Sequence, residues 1–230
     1  MQTGTETWRY SLVARIVLGF IPAFMFGVAA FLFSMQFTVG AGDRVTGLIL
    51  DAVTLAVVAL AVFMTFGLIA AVRTRIGIDG TFLDATVPAG HNALLVPHFR
   101  TIRLPVAEIG SVERRVEISS ILGLSSMRDS LSIVTTGGER IGLFSNTNGA
   151  INILPIDEIA AGIASAAGLA ITDAGTVTTK SQGLYGAAAS SWNEPALDPE
   201  SAGKAKQLAV RTLQILVGLM TLGFVLRACH

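Results

Sequence analysis

An uncharged apolar stretch, Ala52–Val72, constrains the fold of this chain more than any other feature of its sequence. It reads AVTLAVVALAVFMTFGLIAAV and contains 21 residues. An α-helix rises about 1.5 Å per residue, so about 20 apolar residues cross the roughly 30 Å hydrocarbon core of a bilayer. The stretch is too long and too far from the N-terminus for a secretory signal sequence. It therefore predicts a membrane-spanning helix.

Another uncharged apolar stretch, Ile16–Phe37, contains Pro22 and has the length of a second membrane-spanning helix. We expect the two helices to form an antiparallel hairpin joined by Thr38–Arg44. Small residues recur every three or four positions along both helices and would let their backbones approach closely. These predicted packing residues are Gly19, Ala23, Gly27, Ala30 and Ser34 in the first helix and Ala52, Ala56 and Ala59 in the second. The alternative is that alanine and glycine are simply common in membrane helices.

Basic residues flank the predicted hairpin on one side of the membrane. Arg9 and Arg15 precede it, Arg73 and Arg75 follow it, and the connecting loop carries only Arg44. Because basic residues concentrate on the cytoplasmic side, both ends of the hairpin are predicted to be cytoplasmic.

Polar and aromatic residues near the ends of the hairpin fit this orientation. Trp8 and Tyr10 precede the first helix and are typical of an interfacial anchor. Asp51 lies at the loop end of the second helix. Its position favours an interfacial carboxylate, with an intramembrane proton or ion ligand as the alternative.

The composition agrees with a membrane protein. Hydrophobic residues make up 52% of the chain, charged residues 14%, and the mean hydropathy is +0.65. The formal net charge is zero, which gives no indication of a nucleic-acid partner. The single cysteine, Cys229, excludes an internal disulfide and a cysteine-based zinc site.

The C-terminal part of the chain contains a shorter apolar stretch, Leu208–Leu226, which predicts a third membrane-spanning helix. A buried amphipathic helix is the alternative. The residues before it are rich in Thr, Gly, Ala, Ser and Pro, which is typical of a linker. The predicted organisation is an arm and helical hairpin at 1–72, a globular domain at 73–170, a flexible linker at 171–205 and a transmembrane helix at 206–230.

The globular domain is marked by short segments of alternating polarity, which predict β-strands. Asp79-Gly80 indicates a hairpin turn, and Leu131–Thr136 and Arg140–Phe144 form the clearest hairpin. The period becomes helical after Pro155, and Gly168 is placed to end the helix. Strands followed by one amphipathic helix predict an α+β domain.

Three segments of this domain resemble the bacterial pleckstrin-homology-like family. They are RLPVAEIGSVE (Arg103–Glu113), LSIVTTGGERIGLF (Leu131–Phe144) and IDEIAAGIASAAG (Ile156–Gly168), and Pro105, Ile109 and Val112 match the family's strand–turn–strand pattern. The resemblance implies a partly open antiparallel β-barrel capped by one C-terminal helix. It also implies a role in binding lipids or proteins rather than in catalysis.

Two features of the domain are candidate binding sites. Four arginines on neighbouring predicted strands would match lipid phosphates, although interspersed glutamates favour an ordinary solvated face; they are Arg100, Arg103, Arg114 and Arg115. The predicted connector Ser119–Asp129 is unusually apolar for a loop and would contact a partner, the membrane or its own domain. Its apolar residues are Ile121, Leu122, Leu124 and Met127.

No catalytic constellation is visible in the sequence. His91 and His98 lack carboxylates at metal-ligand spacing, so neither a metal site nor a cofactor is predicted. Together with the family resemblance, this leads us to expect a non-enzymatic accessory, assembly or scaffolding protein of a bacterial inner-membrane complex. Its globular domain would contact other membrane protein subunits or further copies of the chain. The first alternative is a module that binds anionic membrane lipids. A small oligomeric transporter or a membrane-bound hydrolase is the remaining alternative.

Overall fold

The computed structural model of the protein describes residues 6–40, 44–121, 124–147, 154–179, 192–211 and 214. Its helices are α1 (Leu12–Met35), α2 (Arg44–Arg73) and α3 (Ile156–Ala167), and residues 199–211 are also helical. Its strands are β1 (Glu6–Arg9), β2 (Arg75–Ile78), β3 (Phe82–His91), β4 (Pro97–Pro105), β5 (Ile109–Ile121), β6 (Leu124–Thr135), β7 (Arg140–Thr147) and β8 (Ile171–Thr178). The predicted α+β class is confirmed.

The helices α1 and α2 pack against each other as a hairpin. The side chain of Ser11 caps α1 by accepting a hydrogen bond from the N–H of Ala14 at 3.1 Å. Gln36, in the π-helical turn that follows α1, donates to the carboxylate of Asp51 in α2. Both helices are long and apolar enough to cross a membrane, by length and composition.

The two helices pack through different small residues from those predicted. The buried residues are Ala14, Pro22 and Ala29 in α1 and Ala61, Ala70 and Ala71 in α2. Gly19 is half-buried and faces the side chain of Leu68, whereas the other predicted residues, Ala23, Gly27, Ala30, Ser34, Ala52, Ala56 and Ala59, are exposed. The prediction is wrong for these seven exposed residues, because small residues occur all around both helices and their spacing does not define one face. Gly19 does face the other helix, as predicted.

The strands form two four-stranded sheets. The first sheet has the order β1-β2-β3-β4 and is antiparallel throughout. The second has the order β7-β6-β5-β8, and its β8 is parallel to β5. Within the described residues the strands form one antiparallel and one mixed sheet and no closed barrel. The partly open antiparallel barrel that the family resemblance implies therefore stays a prediction, and the parallel pairing of β8 departs from it.

The core of the domain lies between the sheets and α3. The apolar stripe of α3, Ile156, Ile159 and Ile163, is buried in it. Gly168 ends this helix in the left-handed conformation at φ 66°, as its position after the stripe predicts. The helix therefore covers the sheets as expected.

Two predicted irregular segments belong to the second sheet. The predicted connector Ser119–Asp129 continues β5 and β6, since Ser119 is directly opposite Ser126 and their hydroxyls lie 2.9 Å apart. Serines that usually mark loops here pair across two strands. The segment predicted as a linker at 171–205 begins with strand β8. This polar strand forms because it pairs with β5.

The predicted third span falls mostly on residues that the structure does not describe. Residues 208–211 are the last residues of the helix at 199–211, and Thr212–Leu226 lies outside the described ranges apart from Gln214. The third membrane-spanning helix therefore stays a prediction.

Candidate functional site

The two long helices continue directly into the first sheet. β1 ends at Arg9 and α1 begins at Leu12, whereas α2 ends at Arg73 and β2 begins at Arg75. Because β1 and β2 pair antiparallel, the helical hairpin is prolonged by a strand pair. The sheet is thus connected to the helices by one residue on one side and two on the other.

Both junctions are held by packing. Thr74 is buried, and its N–H and hydroxyl donate to the carbonyl of Ala70 at 3.0 and 2.7 Å. Trp8 packs against the core and lies so close to α3 that a Cβ at Gly162 would be 2.5 Å from its ring. Tyr10 packs against the same core, and burial raises the pKa of its phenol to about 12. These two aromatic residues therefore pack in the domain instead of forming the predicted interfacial anchor.

One row of side chains crosses the outer face of the first sheet. Arg9 is directly opposite Arg75, Arg75 is opposite Thr86, and Thr86 is opposite Thr101. Alternate residues of a strand point to opposite faces, so this row shares the face away from the buried Ile76 and Ala85. Four strands thus bring two guanidinium groups and two hydroxyls side by side.

The row lines a cavity of about 450 Å³ at the end of α2, which we call the basic groove. The basic groove is lined by Arg9, Val72, Arg73, Arg75, Thr86, Phe99 and Thr101. The guanidinium of Arg73 lies 5.4 Å from the centroid of Phe99, and Arg75 Nε donates to Thr86 Oγ1 at 3.4 Å. These contacts hold two of the three arginines against the sheet.

A second cavity of about 350 Å³ adjoins the basic groove along the same face. It shares Arg9, Arg75, Thr86 and Thr101 with the basic groove, but two carboxylates, Asp79 and Asp84, also line it. Asp84 pairs with Arg103 at 3.7 Å. The negative charge therefore lies at the far end of the face from α2.

Positive charge is uncompensated in the basic groove. In the part of the chain that the structure describes, no ion pair joins Arg9, Arg73 or Arg75 to a carboxylate. Glu6, on β1, lies on the opposite side of the sheet, near α3. Of the residues that the structure describes, three arginines, two threonines and no acidic residue line the basic groove. This arrangement suits an anion.

The four arginines predicted to form a lipid-binding face do not share one face. Arg100 and Arg103 are on β4 in the first sheet, and Arg114 and Arg115 are on β5 in the second. Arg100 donates to the carbonyl of Gly142 at 2.6 Å. Arg103 pairs with Asp84, and Arg114 pairs with Asp157 and Asp129.

Arg115 is buried rather than available to a ligand. Its guanidinium pairs with Glu117 at 2.7 Å and with Glu194 at 3.2 Å. The four candidate arginines therefore do not form one basic face, because β4 and β5 belong to different sheets. Carboxylates pair with Arg103, Arg114 and Arg115, which agrees with the ordinary salt-bridged face that the interspersed glutamates favour.

Three of the residues predicted for partner contact lie in the β5–β6 hairpin, towards its closed end. Ile121 ends β5 and Leu124 begins β6, and Met127 is half-buried opposite Ile118. Leu122 lies outside the described residues. Their role in contacting a partner stays a prediction.

The two histidines considered as metal ligands in the sequence, His91 and His98, are both exposed. His91 ends β3, and its Nδ1 lies 3.0 Å from the carbonyl of Asn92. His98 is on β4. Among the described residues, no three His, Cys, Asp or Glu side chains are placed to share a metal ion.

The basic groove was missed in the sequence because its residues come from five elements. Arg9, Arg73 and Arg75 were recognised there only as signals of membrane orientation. The available signal was that Arg9 and Arg75 lie next to the two ends of the hairpin, which necessarily meet in space.

Comparison of the chain with protein-family models, with curated proteins and with solved structures finds no match. The resemblance to the bacterial pleckstrin-homology-like family therefore stays a prediction that rests on the three segments quoted above.

Proposed function

We propose that this protein is a non-enzymatic accessory or scaffolding protein of a bacterial inner membrane, with its β-domain on the cytoplasmic side. The apolar helices support the membrane placement. Large apolar side chains on α1 and α2 are exposed, including Phe20 at 68% and Leu55 at 71%. A core helix of a soluble protein would bury such side chains, whereas a bilayer would cover them.

The observation that carries the proposal is the direct connection between helices and sheet. Thr74 alone separates α2 from β2, and the pairing of β1 with β2 adds a second connection. A flexible tether would allow the domain to rotate, whereas this short junction holds the sheet in one orientation to the two helices. If the helices cross the membrane, the domain keeps that orientation to it. A fixed orientation is useful to a protein that presents one surface to other membrane subunits.

A linker insertion tests whether this fixed orientation matters. Four Gly/Ser residues are inserted between Arg73 and Thr74, and the same four between Gly137 and Gly138, an exposed hairpin turn, as the matched control. The full chain is purified from its native membrane in mild detergent, and the mass of the assembly is measured. We expect an assembly larger than the monomer that the junction insertion disrupts and the turn insertion preserves. A monomeric wild type, or an intact assembly after the junction insertion, would contradict the proposal.

Cysteine labelling tests the orientation independently. Cys229→Ser removes the native thiol, and Thr38→Cys and Glu139→Cys then place single thiols in the hairpin loop and in the domain. A membrane-impermeant maleimide should label the first variant in intact bacterial cells and the second only after permeabilisation. The reverse pattern would show that the domain lies outside the cytoplasm.

A further inference from the structure

We propose that the basic groove binds the phosphate headgroup of an anionic membrane lipid. This inference rests on the proposed function, because it requires α2 to cross the bilayer. It assigns a class of ligand to the basic groove, which forms where β1 pairs with β2. The four arginines singled out in the sequence do not line this groove.

The first step is the repulsion within the groove. Arg9 and Arg75 are directly opposite each other across the β1–β2 ladder, where like charges destabilise the pair. No carboxylate of the described residues pairs with either one. An anion seated between them would remove the repulsion and accept hydrogen bonds from both guanidinium groups.

The second step is the chemistry of the anion. A guanidinium presents planar donors that match two oxygens of a phosphate, and hydroxyls of Thr86 and Thr101 are further donors in the same row. A basic patch that served only to orient the protein in the membrane would need positive charge, but its side chains would not have to point into one cavity. Here Arg73 lies over Phe99 and Arg75 is bonded to Thr86, so the charges are directed to one cavity.

The third step distinguishes a lipid from free phosphate. One wall of the groove is apolar, formed by Phe99 and by Val72, which is 55% exposed and ends the apolar part of α2. Free phosphate is polar on all sides and would gain nothing from contact with an apolar wall. A lipid would place its phosphate among the arginines and its glycerol and upper acyl carbons against Val72 and Phe99, at the depth where α2 leaves the bilayer.

The test uses the full chain in neutral detergent. Short-chain phosphatidylglycerol, phosphatidylcholine and inorganic phosphate are titrated separately, and the midpoint of thermal unfolding is followed. We expect a saturable rise with phosphatidylglycerol that decreases with added NaCl, no comparable rise with phosphatidylcholine, and an effect of inorganic phosphate only at much higher concentration. Equal effects of the two lipids, or phosphate as effective as phosphatidylglycerol, would overturn the proposal.

Charge-conserving variants locate the site. Arg9→Lys with Arg75→Lys keeps the charge and removes the planar donors, so the affinity for phosphatidylglycerol should fall about tenfold. Arg44→Lys with Arg140→Lys is the matched control outside the groove, since Arg140 lies on β7 of the second sheet, and it should bind as the wild type does. Unchanged affinity in the groove variant would overturn the assignment. If the groove variant does not fold, native mass spectrometry of the wild type replaces this comparison. Preferential retention of phosphatidylglycerol over phosphatidylcholine would support the site, and equal retention of the two lipids would overturn it.

Carbonate extraction separates this inference from the proposed function. A chain released from membranes by alkaline carbonate is not an integral membrane protein, and both proposals then fail. A chain that stays in the membrane but does not prefer phosphatidylglycerol leaves the scaffolding function standing and rejects the headgroup site alone.

Discussion

The guanidinium carbon of Arg115 lies 4.0 Å from the centroid of the Trp192 ring. Arg115 belongs to β5 and is only 1% exposed, so a tryptophan from far along the chain covers a buried cation. Glu194, two residues later, pairs with the same guanidinium at 3.2 Å. Cation–π stacking and charge pairing from one short segment therefore act on a single side chain.

The same segment is bonded to the edge of the second sheet. The N–H of Leu197 donates to the carbonyl of Thr176 in β8 at 2.7 Å. We call residues 192–197 the C-terminal strap, because they hold the chain on the domain just before the helix at 199–211. The strap thus fixes where the C-terminal part of the chain leaves the domain.

Removing the ring of Trp192 should loosen the strap. Trp192→Ala loses the cation–π contact and part of the cover over Arg115, so the free energy of unfolding should fall by about 1–3 kcal/mol. Trp192→Phe keeps an aromatic ring and should lose less. Unfolding in detergent can be followed by the fluorescence of Trp8, the other tryptophan of the chain. Equal stability of the alanine variant and the wild type would show that the strap contributes nothing.

The two carboxylates that pair with Arg115 should differ in importance. Glu117 is buried with Arg115, and Glu117→Gln would remove the buried carboxylate that pairs with this buried cation, at a cost of about 3–5 kcal/mol. The Glu194 side chain is 23% exposed, so Glu194→Gln should cost only about 1 kcal/mol. Denaturant titration of both variants measures the difference. A larger loss for the Glu194 variant would contradict this ranking.

Local patterns in the sequence predict much of the fold. The two long helices α1 and α2 are predicted from the length of their uncharged apolar stretches, because few structures other than membrane-spanning helices contain such stretches. The turn at Asp79-Gly80 forms because Gly80 adopts φ 82° without a steric penalty. Helix α3 is predicted by apolar residues that recur with the helical period of 3.6 residues, and its end is predicted by Gly168.

Features that depend on distant pairing are not visible in the sequence. The polar strand β1 has little apolar content, and only its pairing with β2 makes Arg9 the neighbour of Arg75. Likewise, β8 forms because β5 offers it an edge. The basic groove and the C-terminal strap both arise from such pairings, so no local period or motif indicates them.

The turn between β2 and β3 should make stability depend on pH. The Asp79 carboxylate accepts hydrogen bonds from the N–H groups of Phe82 at 2.7 Å and Thr81 at 2.9 Å. These bonds hold the pKa of Asp79 below its ordinary value of 3.8. Because the folded pKa is lower than the unfolded one, the stabilisation is present above the ordinary value and is lost as the pH falls through the folded value.

Asp79→Ala should therefore lower the midpoint of thermal unfolding at pH 7, and its difference from the wild type should shrink below about pH 4. Asp79→Asn keeps an acceptor oxygen without the charge, so it isolates the pH-dependent part. Midpoints measured from pH 3 to pH 7 test this. A difference between Asp79→Ala and the wild type that stays constant over this range would mean that the charge of Asp79 has no role in the turn.

Two glycines in helices should respond in opposite directions to the same substitution. In α3, a Cβ at Gly162 would lie 2.5 Å from Cη2 of Trp8 and 3.1 Å from a carboxylate oxygen of Glu6, so Gly162→Ala should push β1 away. We expect a loss of about 1–3 kcal/mol from overpacking, although alanine favours a helix.

Gly203 is the matched control, because it lies in the helix at 199–211 and a Cβ there meets nothing within 4 Å. Gly203→Ala should raise the free energy of unfolding by up to about 1 kcal/mol. Both variants are made with Trp192→Phe, so that Trp8 alone reports. The emission of Trp8 should shift to longer wavelength only in the Gly162 variant, since only there does the ring leave its place against α3. A stable Gly162 variant with unshifted emission would mean that the ring of Trp8 does not pack against α3.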